Sequence, residues 1–134
     1  MIERIGETIV INGEFLNREE IEMMPKLADY LMKKEKAKNV VIYGIKDDHL
    51  YLLSKCKQAE MARRIERKFS KVGESRKVGD LILTKVHLGI VATVEDGFKK
   101  IRYVEEIITE TIENGASKRK FGSRLNEIKR LIVV

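Results

Sequence analysis

Asn39-Val40-Val41-Ile42-Tyr43-Gly44-Ile45-Lys46-Asp47-Asp48-His49-Leu50-Tyr51-Leu52-Leu53-Ser54-Lys55-Cys56 is the stretch on which the reading of the fold turns. Two blocks of β-branched, aromatic and leucine side chains flank a short polar turn, the pattern of a β-hairpin. Directly after it, over 58–72, Met61, Ala62, Ile65, Phe69 and Val72 recur at spacings of three and four, which puts them on one face of a helix. Arg63, Arg64, Arg67, Lys68 and Lys71 fall on the remaining faces. Between residues 54 and 77, nine basic residues stand against three acidic ones, an excess of six that equals the +6 formal charge of the whole chain. A basic helix backed by a rigid hairpin is the electrostatic footprint of a surface that meets phosphates.

The 134 residues suit one domain, long enough to bury a core without disulfide or metal staples. With 43% apolar and 36% charged residues, the composition is that of a soluble globular protein with a heavily charged surface. Abundant Lys and Glu beside a single Gln, a single Cys and a single Pro match the surface chemistry of thermophilic proteins. Cys56 is alone, so no intramolecular disulfide forms. No signal peptide and no long apolar run is read, which sets the expectation of a cytoplasmic protein without a membrane partner.

Towards the N-terminus, residues 5–15 alternate loosely around Ile9-Val10-Ile11 and read as a first strand, with Asn12-Gly13 as a turn signal. Asn17 followed three positions later by Glu20 is a capping pattern, so a short helical turn begins there. Pro25 fits the first turn of a renewed helix running to about Lys36, with Met24, Leu27, Ala28 and Leu31 facing inward. The lysines at its end suit the helix dipole.

Towards the C-terminus, residues 73–79 read as a polar loop with a glycine at each end. Residues 81–86 form a strand with Leu81, Leu83 and Lys85 on one face and Ile82, Thr84 and Val86 on the other. From Val94 or Glu95 to about Glu113, Phe98, Ile101, Val104 or Glu105, Ile108 and Ile112 trace a long amphipathic helix that Asn114-Gly115 ends. Composition shifts beyond it: residues 116–134 hold six basic residues and one acid and finish Leu131-Ile132-Val133-Val134. The division is therefore a domain over 1–114 and, over 115–134, a basic linker with an amphipathic tail whose apolar end is a handle for a protein partner.

Three passages resemble the C-terminal substrate-binding domain of the DHH phosphoesterases, which include RecJ-type exonucleases and oligoribonuclease/pAp phosphatases, especially their archaeal forms. Met24-Pro25-Lys26-Leu27-Ala28-Asp29-Tyr30-Leu31 is similar to the family helix before the hairpin. The hairpin ending Ser54-Lys55-Cys56 is similar to the family hairpin that ends Ser-x-Arg-Ser, and residues 73–89 match the spacing of the family's loop and strand around Gly-Gly-His. The family's catalytic domain precedes this one, whereas here the chain starts at Met1. Arg76-Lys77-Val78 stand where the family has Gly-Gly-His, and Lys55 where its hairpin presents Arg, which keeps the charge but loses the bidentate fork. Hydrolysis by the family mechanism is not expected. The resemblance also implies a place beside GINS in an archaeal replicative helicase assembly, since stand-alone relatives of the RecJ DNA-binding domain occupy it.

Two sharp readings yield to bland ones. Asp47-Asp48-His49 carries metal-ligand side chains, but three adjacent residues seldom converge on one ion, and a hairpin turn explains them. Cys56 reads as a small apolar filler at a strand end, not as a nucleophile. Tyr43 and Tyr51 have faces on which bases stack, yet core or cross-strand packing is the simpler role.

The expected fold is α/β: a single domain with a mixed β-sheet of about four to five strands and helices packed on it. The expected function is binding without catalysis, metal or cofactor, by a nucleic-acid-binding or scaffolding subunit whose partners are single-stranded nucleic acid, or another polyanion, and a protein complex. Phosphate contacts are assigned to Lys55, Arg63, Arg64, Arg67, Lys68, Arg76 and Lys77, and partner docking to Leu131, Ile132, Val133 and Val134. The alternative is the substrate-binding half of an oligonucleotide or pAp phosphoesterase that pairs with a separate DHH catalytic chain.

Overall fold

The computed structural model describes residues 2–69 and 71–113. In chain order it contains β1 (Ile2–Ile5), β2 (Thr8–Phe15), α1 (Arg18–Lys34), β3 (Asn39–Lys46), β4 (His49–Cys56), α2 (Ala59–Phe69), β5 (Gly73–Val78), β6 (Leu81–His87), a 3-10 turn (Gly89–Thr93) and α3 (Gly97–Glu113). The strands form one mixed sheet in the order β1-β2-β3-β4-β6-β5. Only β2 and β3 run parallel, joined by α1, while every other neighbouring pair is antiparallel.

The central hairpin forms as read. Asn39 pairs with Cys56 at one end and Lys46 with His49 at the other, which leaves Asp47-Asp48 as a two-residue turn. Asp47 takes φ +55°, left-handed backbone that a short polar side chain tolerates. The capping box is also present: Asn17 Oδ1 accepts the Glu20 N–H at 2.8 Å, and Glu20 Oε1 accepts the Asn17 N–H at 3.0 Å.

Four expectations need correction. The N-terminal strand is a hairpin, β1 with β2, and Asn12-Gly13 lies inside β2 at a register shift before Phe15. There the Asn12 carboxamide accepts the Glu14 N–H at 2.9 Å, so its turn chemistry makes a bulge and not a chain reversal. Helix α1 is continuous across Pro25, held by the burial of Met24, Ala28, Leu31 and Met32, while Leu27 stays 38% exposed. The glycine-bounded loop is strand β5, whose residues are almost all exposed; pairing with β6 alone organises it. Among the described residues the strand count is accordingly six, and the two strands not foreseen are the sheet's edges, β1 and β5, both largely exposed and carrying charged residues. Charged edges resist pairing with other chains, and for the same reason they lack an apolar signature.

The pleat divides the core. One face carries Val10, Val41, Tyr43, Ile45, Leu50, Leu52 and Val86 against α2 and α3. The opposite face carries Ile9, Ile11, Val40, Ile42 and Leu53 against Met24, Ala28, Leu31 and Met32 of α1. Gly44 lets the chain close over that second face: a Cβ there would sit 2.5 Å from Leu16 Cγ. The boundary near residue 114 and the Leu131–Val134 handle lie outside the described residues.

Candidate functional site

Helix α1 covers β2, β3 and part of β4 and leaves the β6–β5 side of its sheet face open. Cross-strand register lays out the uncovered quadrant as rows. His49 pairs with His87, Tyr51 with Lys85 and Glu74, Leu53 with Leu83 and Arg76, and Lys55 with Leu81 and Val78. Leu53 is buried under α1, but Leu81 and Leu83 are only partly covered, and Val78 is 59% exposed. An aromatic and aliphatic centre is therefore rimmed by Arg76, Lys85, His49 and His87, with Glu74 the one acid in the upper rows.

The centre is electrostatically organised. Lys85 Nζ lies 5.7 Å from the Tyr51 ring centroid, within reach of a cation–π attraction. His49 and His87 meet edge to face with centroids 5.0 Å apart. His87 Nδ1 accepts the Gly89 N–H at 2.9 Å, so in its neutral form the proton sits on Nε2, facing outward as a donor. Burial first, then Lys85 and His87, pulls the His49 pKa below the usual histidine value, against the opposite pull of Asp48 and Asp47. At the upper end of the quadrant an open cleft of about 350 Å³ is lined by His49, Lys71, Val72, Gly73, Glu74, Lys85 and His87. Gly73 is needed here, since a Cβ would approach the Lys85 carbonyl oxygen to 2.7 Å.

The seven basic residues expected to share one cradle are divided by the sheet. Lys55 and Arg76 lie on the α1 side, paired through β6 with Leu81 and Leu83, whereas Lys77, paired with Ile82, lies on the α2 side. Lys55 is 18% exposed and bound to Asp29 of α1, with Asp80 at 3.7 Å; the Asp29 hydrogen bond raises its pKa. That lysine ties helix to sheet. Arg64 is 20% exposed, donates to the Ile112 carbonyl at 2.7 Å and meets Glu60 at 3.5 Å, so it joins α2 to the end of α3. Lys68 follows one turn later, half-buried and also engaged. Arg63 and Arg67 point to solvent together on the outer side of α2. A single cradle from these seven is thereby overturned, because strand parity and local bonds send them to different places.

No protein-family model and no curated protein matches the chain. Among solved structures, the C-Ala domain of alanyl-tRNA synthetase from Aquifex aeolicus is similar, with a TM-score of 0.51 and 20% sequence identity over 85% of this chain and 99% of that one. Likeness at that identity concerns the fold, and it agrees with the α/β architecture of a mixed sheet and three helices.

The sequence does not single out Leu83, Lys85 and His87 as ligand contacts, and it offers Tyr51 for base stacking and His49 for a metal only to prefer packing and a turn. Their signal was present in part: Leu81, Leu83 and Lys85 fall on one face by alternation, as observed. What alternation does not reveal is that the helix covering that face stops at β4. Tyr43 is in the core at 2% exposure, and burial drives its phenol pKa strongly upward. Among the described residues no group of three His, Cys, Asp or Glu is arranged to hold a metal ion, and no helix is long and apolar enough to cross a membrane.

Proposed function

We propose that the chain is a non-catalytic binding module for single-stranded nucleic acid, and that the uncovered sheet quadrant is its interface. The observation that carries this reading is the Tyr51–Lys85 cation–π pair at the centre of a partly apolar, cation-rimmed surface. Bases have π-faces that stack on tyrosine, and phosphates between them reach the surrounding Arg76 and Lys85. An unpaired strand exposes both at once, whereas a duplex hides its bases. The charge of +6 and a pI near 9.4 favour such a polyanion at long range. The structural neighbour belongs to an enzyme named for tRNA, which supports RNA as the first ligand to try.

The finer placement follows the family resemblance: a degenerate relative of the RecJ-type domain, working beside a protein partner in a replication or repair complex. Arg76-Lys77-Val78 in place of Gly-Gly-His supports binding over hydrolysis. Fluorescence anisotropy of labelled single-stranded RNA and DNA at two salt concentrations tests the proposal. Affinity should fall steeply with salt and should fall about 5- to 100-fold on Tyr51→Ala, the worth of one stacked base. Binding indifferent to both salt and Tyr51 would sink it.

A further inference from the structure

We infer that the cleft at the upper end of the open quadrant is a receptor for a phosphomonoester, the terminal phosphate of the strand lying across the face. The inference rests on the strand-binding role of that face and names the group that sets its polarity. Four groups able to donate to an anion converge on the cleft from three elements: His49 from β4, Lys85 and His87 from β6, and Lys71 from the segment before β5. Glu74 is the single carboxylate in its lining. Lys71 and Lys85 bring two positive charges against the one negative charge of Glu74, and a protonated His49 restores the match to a terminal phosphate dianion, whereas an internal phosphodiester carries one negative charge.

The histidines are disposed for such a ligand. The Gly89 N–H on Nδ1 of His87 leaves its Nε2–H as a donor without a net charge, so His87 serves an anion even above neutral pH. His49, one strand away, has its pKa lowered by burial and by Lys85 and His87. A dianion placed among these groups offsets the two cations and makes protonation of His49 favourable, with Asp47 and Asp48 acting in the same direction. Ligand binding then takes up a proton. A phosphomonoester is about half-ionised to the dianion near pH 6 and nearly fully so about one unit higher, so terminal-phosphate preference should peak at about pH 6–7 and weaken towards pH 8 as His49 loses its proton. Position adds the rest: Lys85 lines the cleft and also caps Tyr51, so a strand whose first base stacks on Tyr51 directs its end into the cleft.

Anisotropy titrations of oligonucleotides bearing a 5′-phosphate, a 3′-phosphate or hydroxyls at both ends test this with the full chain and Lys71→Ala. Lys71 is exposed, in no core cluster, and its replacement leaves Tyr51 and Arg76 in place. One phosphorylated end should bind about tenfold tighter than the hydroxyl strand, and Lys71→Ala should erase that difference while keeping hydroxyl-strand affinity within about twofold. Whichever end wins fixes the strand's direction. Equal affinity for all three oligonucleotides overturns the cleft and leaves the face reading standing. Should no oligonucleotide bind, the face reading falls, and titration with inorganic phosphate decides the cleft alone. In that arm, shifts of the His49 and His87 ring-proton NMR signals at constant ionic strength support it, and their absence overturns it.

Discussion

Arg64 shows how one residue's charge is redirected by its surroundings. Its guanidinium donates to the Ile112 carbonyl in the last described turn of α3. Arg64→Ala should cost about 1–3 kcal/mol in urea unfolding, the usual loss for a charged donor to a partly buried carbonyl, with strand affinity unchanged. An affinity loss without a stability loss would restore Arg64 to the ligand surface. Asn39 is fully buried; it donates to Thr8 Oγ1 at 3.2 Å and Gln58 Oε1 at 2.7 Å and accepts the Gln58 N–H, pinning β2, β3 and the start of α2. Cys56 is a further residue-scale case: burial pushes its thiol up to about 12. In the folded protein it should resist alkylation at pH 8, where an exposed thiol near its ordinary value reacts readily. A thiol pKa raised by folding stabilises fully below about pH 9, and that contribution is lost as pH rises towards 12. Native-state alkylation kinetics against pH check the point.

Among the elements, legibility followed burial. The hairpin β3–β4 and helix α2 could be read because each places apolar side chains with a period that one covered face demands. Strand β5 escaped because five of its six residues are exposed; its stability lies in backbone bonds to β6, which leave no trace in side-chain identity. Gly73 at its start is the exception, legible only once Lys85 is known to lie behind it. Gly73→Ala should destabilise by about 1–3 kcal/mol, as overpacking does, and disturb the cleft; thermal unfolding with Ala at exposed Lys77 as comparison would reveal it. Helix α1 illustrates the opposite. Its capping box was visible three positions apart, and Asn17→Ala should cost about 0.5–2 kcal/mol. Its unbroken passage across Pro25 was not visible, because the burial that holds the helix together belongs to the sheet below it.

For the molecule as a whole, the decisive quantity is where helices stop covering the sheet. Strand binding should show a log–log salt slope set by the few cations of the open quadrant, with Arg76→Ala reducing that slope by about one. Charge removal at Arg63 and Arg67, on the other side of the sheet, should leave it nearly unchanged; isothermal titration at several salt concentrations separates the two sets. By itself the sequence determined the class of fold, the central hairpin, helices α2 and α3 and the excess of positive charge, because periodicity and composition are local properties. Only the tertiary structure decided which charges face a ligand. Pleating sends neighbours such as Arg76 and Lys77 to opposite faces, and Asp29, 26 residues away, claims Lys55. Both follow from strand order and helix placement, which arise from packing between residues far apart in the chain.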